Sequence, residues 1–234
     1  MSEMAAADRS SDLDQRSLRD QIIDSLRTRI VSSELSRGER LDLPQIARDY
    51  EVSPIPVREA LIVLESEGVV TTRARRGVFV AELSAEDLIE IYQVREAIEV
   101  QAVELLIGSG DGAVEGVLSE TLAELDACWE RGDHDAAVRV DMQLHCLLSA
   151  MSGNGRLARM AQMMANQTLL HLVPVEESQG ALRRRPADHF HSDIVRAVVQ
   201  RDVESARKAI REHYAWSRER LVDPALGVWQ AKSG

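Results

Sequence analysis

Apolar residues first fall into helical register at Leu18, Ile22, Ile23, Leu26 and Ile30, three and four positions apart. That spacing predicts an amphipathic helix ending near Ser32 and Ser33. After a turn at Gly38, Leu43, Ile46 and Ala47 form the apolar side of a short helix over 44–50. "EVS" supplies the next turn. Ser53 stands at an N-cap position, Pro54 at the first helical position and Pro56 within the first turn, where backbone N–H groups have no intrahelical acceptor in any case. Val57, Ala60, Leu61 and Leu64 carry a third helix to Gly68, a natural stop. "VVTTRARRGVFVAEL" then alternates β-formers about a basic, glycine-containing tip and reads as a two-stranded hairpin.

From Ser84 the period is helical throughout. Ser84 and Asp87 resemble a capping box, with Asp in place of the usual Glu. Helices are expected from there to about residue 107, then over 113–131, 134–151, 155–172, 187–200 and 203–222, separated by Gly-, Pro- and Asp-containing breaks. The order helix, helix–turn–helix, hairpin is that of a winged helix–turn–helix. The expected chain is mainly α: a flexible arm over 1–13, a winged helix–turn–helix over 14–81, and an all-α helical bundle over 82–234.

Composition narrows this. Of 234 residues 44% are apolar but only 3% aromatic, so the cores must be aliphatic. Cys128 and Cys146 fit no metal or redox spacing, and two free thiols suit a reducing cytoplasm. The N-terminus lacks the apolar core of a signal peptide. The longest stretch without Asp, Glu, Lys or Arg, 160–175, is too short and polar to span a bilayer. A cytoplasmic protein with no membrane partner is expected.

The formal net charge of −11 argues against nucleic acid when taken over the whole chain. It is unevenly spread. Residues 14–80 hold 11 Arg against 11 Asp+Glu, whereas 81–234 hold 16 Lys+Arg against 25 Asp+Glu. The first module is neutral, and its cations are placed. Arg58 projects from the third helix away from Val57, Leu61 and Leu64, and Arg73, Arg75 and Arg76 crowd the hairpin tip, where a wing reaches phosphate or the minor groove. Ser53 can donate to a phosphate as well as cap. A lone Arg58 would read equally as a solvated helix arginine; the wing cluster and the architecture favour contact with double-stranded DNA.

In the helical part, four polar residues lie on the apolar stripes of their own helices. Asp141 and His145, four apart, share a face with Ala137, Val138 and Leu148; His191 is in line with Ile194, Val195 and Val198; His213 follows Val203, Ala206 and Ile210. One such histidine is usually a hydrogen-bonded core residue. Four groups on three helices point to a divalent metal ion, because a buried carboxylate needs a cationic partner; imidazole and carboxylate suit Zn, Ni, Mn or Fe, with Zn expected in purified protein. His134, beside a cap at Asp133, and His189, with Ser192 and Asp193 on its face, lack that pattern, and His171 reads as a core residue. Arg95 shares a stripe with Ile91, Ile98 and Ala102, either as a snorkelling stem or as a guanidinium aimed at a carboxylate. Arg183, Arg184 and Arg185 read as a solvated run.

The segment "LPQIARDYEVSPIPVREALIVLESEGVV" with "GVFV" resembles the DNA-binding module of GntR-family bacterial transcription regulators over about 14–81. Arg58 and Gly77 match; Pro54 and Pro44 stand where relatives commonly carry basic residues, which implies a different operator. "DMQLHCLLSAMSGNGRL" and "HSDIVRAVVQRDVESARKAIREH" resemble the FCD ligand-binding domain of the FadR subfamily. That resemblance implies Asp141, His145, His191 and His213 as metal ligands, and "YQVREAIE" implies Arg95 as an effector contact. Phe190 departs from the acidic residue that commonly precedes the third ligand. The implied function is a metabolite-responsive regulator, a repressor, binding a pseudo-palindromic operator as a homodimer. A small carboxylate metabolite would meet the metal and Arg95. The rivals are a metal-dependent hydrolase or lyase on the bundle, and a sensor whose metal is structural or is itself the signal.

Overall fold

The computed structural model describes residues 17–109, 114–172 and 190–222. These form α1 (Leu18–Val31), β1 (Arg40–Leu41), α2 (Leu43–Asp49), α3 (Pro54–Ser66), β2 (Val70–Arg73), β3 (Gly77–Val80), α4 (Ala85–Ser109), α5 (Val114–Glu130), α6 (His134–Ala150), α7 (Gly155–Leu172), α8 (Phe190–Val199) and α9 (Val203–Val222). The chain divides into two compact units, one of 1–30 and 34–81, the other of 31–33 and 82–234.

In the first unit the predicted helices form because their apolar stripes can be buried together. Ile22, Leu26 and Ile30 of α1, Ile46 and Ala47 of α2, and Val57, Ala60, Leu61 and Leu64 of α3 are all buried. Ser25 and Tyr50 share a 2.7 Å hydrogen bond between α1 and the end of α2. Arg27 donates Nε and Nη2 to the two oxygens of Glu67 at 3.0 and 2.7 Å, a forked pair that ties α1 to the C-cap of α3. The hairpin is present, with Val70 opposite Val80 and Arg73 opposite Gly77. A third strand, not expected, joins it: Arg40 and Leu41 pair with Phe79 and Val78, giving a three-stranded antiparallel sheet in the order β1-β3-β2. A two-residue strand with one inward side chain carries no alternation to read.

The second unit is all-helical among the described residues. Ser84 and Asp87 form the reciprocal box: the Ser84 backbone N–H donates to Asp87 Oδ2 at 2.7 Å, and the Asp87 N–H to Ser84 Oγ at 3.1 Å. Asp133 caps α6 by accepting from the Ala136 N–H at 3.1 Å. Helix α4 runs against α6, α7 and α9, α9 also packs on α8, and α5 on α6. The core is aliphatic: Leu88, Leu118, Leu148, Ile194 and Ile210 are fully buried, each contributing about 1.5–3 kcal/mol. Its aromatic members, Tyr92 and Tyr214, meet at 5.9 Å between ring centroids, where α4 passes α9. No helix among the described residues is long and apolar enough to cross a membrane.

Candidate functional site

Two groups of polar side chains stand out, one in each unit. In the first, α3 starts at Ser53, whose backbone is extended (φ −69°, ψ 159°) as an N-cap requires. Its side chain makes no capping bond, so the expected cap is positional only and the hydroxyl stays at the surface. Arg58 is exposed one turn further on, as its place opposite Val57 and Leu61 demands. The wing turns at Arg75, which has a left-handed φ of 63°, and the Arg76 N–H closes the turn on the Arg73 carbonyl at 2.9 Å. Arg75 and Arg76 are exposed at that tip. Arg73 is half-buried, its guanidinium 4.5 Å from the centre of the Phe79 ring.

The wing holds another cation that the sequence pattern did not disclose. Arg40 extends from β1 across to Gly77, whose φ of +106° suits glycine; a Cβ there would lie 3.3 Å from Arg40 Nε. Arg40 and Arg73 thus come to β3 from opposite strands, one over Gly77 and one over Phe79. The cross-strand pairing of β1, invisible in the hydrophobic pattern, brings Arg40 there.

In the second unit the three histidines converge. Helix α6 contributes His145, α8 contributes His191 and α9 contributes His213, all buried, with one ligand atom from each within 4.8 Å of the others. Neighbouring ring centroids lie 4.8 to 5.4 Å apart. His145 Nε2 and His213 Nδ1 are buried without a hydrogen-bond partner. Asp141 Oδ1 lies 2.5 Å from His191 Nε2 and 3.9 Å from His145 Nε2. Burial pushes the Asp141 carboxyl up, but the imidazoles of His191, His145 and His213 outweigh it and hold the group well below the usual carboxylate range. Burial, reinforced by His191 and His145, holds His213 well below its ordinary value. The donor set, three converging buried imidazoles beside a carboxylate, fits a divalent cation.

Arg95 does not snorkel. It is 3% exposed, with its guanidinium carbon 5.8 and 5.3 Å from the rings of Tyr92 and Tyr214. Nη2 has no hydrogen-bond partner and stands 3.6 Å from Glu99 Oε1. Burial pushes the Tyr92 hydroxyl up to about 12 and the neighbouring Cys146 thiol up to about 11. Glu99, which the sequence reading passed over, is 2% exposed: Oε2 lies 2.6 Å from His145 Nδ1, and Oε1 accepts from the Tyr214 hydroxyl. Its signal was its position, one turn after Arg95 on the stripe of Ile91, Ile98 and Ala102. Phe190 stacks edge-on against His213 at 6.0 Å and offers no carboxylate. His134 sits apart, against Trp129. The side chain of His171, and His189 and Arg183–Arg185, lie outside the described residues.

Comparison with known proteins adds to this geometry. Residues 18–80 match the model of the bacterial regulatory proteins of the gntR family, and residues 90–215 that of the FCD domain. An HTH-type transcriptional regulator of Bacillus subtilis, YdhC, is 28% identical over 202 residues, covering 86% of this chain and 89% of the relative. The transcriptional repressor GlaR of Escherichia coli is 25% identical over 230 residues, covering 89% and 94%. Among solved structures, McbR/YncC of E. coli aligns with a TM-score of 0.73 at 22% identity, over 88% of this chain and 98% of the other. A GntR transcriptional regulator from a Rhodococcus species aligns equally well, over 91% and 99%. These two structures bear on the fold.

Proposed function

Because the chain belongs to the gntR family of bacterial regulatory proteins and carries an FCD domain, a family of DNA-binding transcription regulators and not of enzymes, we propose that it is a metal-containing repressor released or engaged by a small organic acid. The observation that carries this reading is the convergence of three buried imidazoles, with His191 Nε2 against Asp141 and with His145 Nε2 and His213 Nδ1 lacking any hydrogen-bond partner. Burying those groups without a cation is expensive. Asp141, His145, His191 and His213 would hold the ion; when bound it supplies Lewis acidity toward a carboxylate oxygen. Arg95 supports the carboxylate assignment, since its buried Nη2 makes no hydrogen bond and a guanidinium matches a carboxylate in a fork.

On the DNA side, Ser53, Arg58, Arg73, Arg75 and Arg76 form the contact set, Arg58 in the major groove and the wing on the backbone. The protein would act as a homodimer on a pseudo-palindromic operator. Val94 and Leu105, exposed on one side of α4, are apolar positions available to a second copy. The effector need only bind one dimer arrangement better than the other. The test is a titration of the full, chelator-stripped chain. Zn(II) should bind at one site per chain and be lost in His145→Ala and His213→Ala. Organic acids should then shift operator affinity only in the metal-loaded protein. Operator affinity that follows the metal alone would make the ion the signal, and no specific DNA binding at moderate salt would defeat the regulator reading.

A further inference from the structure

Glu99 is a carboxylate that meets a clustered histidine, an arginine and a tyrosine together. It sits on α4, one turn beyond Arg95, at 2% exposure. Its Oε2 is 2.6 Å from His145 Nδ1 on α6, its Oε1 takes the Tyr214 hydroxyl on α9, and Arg95 Nη2 stands 3.6 Å from that same oxygen. A carboxylate this deeply buried is tolerated only where donors surround it. A carboxylate accepts and does not donate, so the His145 proton belongs on Nδ1. The free lone pair is then on Nε2, the nitrogen that is buried, unpartnered and turned toward Asp141. Tyr214 follows His213 directly in α9, so the same carboxylate also braces the helix that carries another of the clustered imidazoles.

We propose that Glu99 is a positioning residue of the cluster: it fixes the tautomer and ring orientation of His145 as a ligand, and it ties Arg95 and Tyr214 to that ligand through a single carboxylate. This rests on the metal reading above. An outer carboxylate that orients a ligating imidazole and raises its basicity typically governs ten- to a hundredfold in metal affinity. Phe190, which precedes His191, offers no carboxylate; the carboxylate that reaches a ring of the cluster from its outer side, Glu99, comes from α4.

Two measurements on the full chain test it. In chelator-treated protein, long-range nitrogen–proton NMR of the imidazoles should show His145 protonated on Nδ1 in the wild type and a mixture of tautomers in Glu99→Gln. Competition between protein and a chromogenic chelator for Zn(II) should show Glu99→Gln about tenfold weaker and Glu99→Ala weaker again. Tyr214→Phe, which keeps the carboxylate on His145, should lose less than Glu99→Gln. The metal-free Glu99→Gln protein should keep its helical circular dichroism, which separates positioning from a general loss of fold. Wild-type Zn(II) affinity in a folded Glu99→Gln, or an Nε2-protonated His145 in the wild type, overturns the proposal. A wild-type chain that binds no Zn(II) overturns the metal reading itself, and positioning of a ligand falls with it.

Discussion

Gly77→Ala puts the wing under a defined load. At φ +106° the backbone lies where L side chains rarely go, and holding alanine there costs on the order of 1–3 kcal/mol. The new Cβ also meets Arg40 Nε at 3.3 Å and Nη2 at 3.7 Å, but those atoms end a flexible side chain and can give by a few tenths of an ångström. The backbone term therefore dominates, and the contact adds only tenths of a kcal/mol. Arg73 pairs with Gly77, and Arg75 and Arg76 fill the turn between them, so strain at Gly77 disturbs the whole tip. Operator affinity of the full chain, read by fluorescence anisotropy on a sequence recovered by selection from random DNA, should fall by about tenfold for each 1.4 kcal/mol lost from the ordered wing. Gly116→Ala is the control: it lies inside α5 at ordinary φ with nothing within 4 Å of a new Cβ, and should be neutral or stabilising by up to about 1 kcal/mol. Repeating Gly77→Ala in an Arg40→Ala background isolates the steric share. Undiminished affinity and unaltered hydrogen exchange of β2 and β3 in Gly77→Ala would refute the reasoning.

Other outcomes follow from the same geometry. Arg75→Ala and Arg76→Ala should each reduce the slope of log affinity against log salt by about 0.9, the value for one phosphate contact; Arg58→Ala should cost about 1–3 kcal/mol and broaden the selected sequence at one position per half-site. Ile55, 65% exposed at the second position of α3, should contact a thymine methyl: uracil substitution there should weaken binding about fourfold, near 0.8 kcal/mol, and Ile55→Ala should abolish that difference. Arg27→Met keeps the stem but removes the fork onto Glu67, and should destabilise the first unit by about 1–2 kcal/mol, seen as faster amide exchange in α1 and α3.

Much of this was legible in the sequence, for reasons that particular residues make plain. Val57, Ala60, Leu61 and Leu64 announce α3 because a buried stripe must repeat at helical spacing, and each is buried. Asp141 and His145 share a face by their separation alone, and His191 and His213 betray themselves as polar residues at apolar positions. Periodicity describes each helix by itself, so the meeting of α6, α8 and α9 around one point came from chemistry and from resemblance. Glu99 was hidden because a glutamate four residues after an arginine looks like an ordinary exposed helix pair; its burial emerges only once α4 is enclosed by α6 and α9. Arg40 was hidden because its role depends on a strand of two residues. Ser53 stands where an N-cap belongs, yet its hydroxyl makes no bond, since side-chain rotation is not encoded in position.

The three inward imidazoles have a further consequence, which concerns the lifetime of the protein. A helical unit centred on His145, His191, His213 and two carboxylates has given up apolar volume where other bundles gain most of their stability. Whatever cation occupies the native cluster but not the unfolded chain adds stability as RT ln(1 + [L]/Kd), about 2.7 kcal/mol at a hundredfold excess over Kd. A gain of that size changes the unfolded fraction about a hundredfold, and with it exposure to proteases. Chains made while the ion is scarce would then be cleared faster than those made while it is plentiful, so supply of the ion would set how many copies of the regulator persist as well as how each one responds.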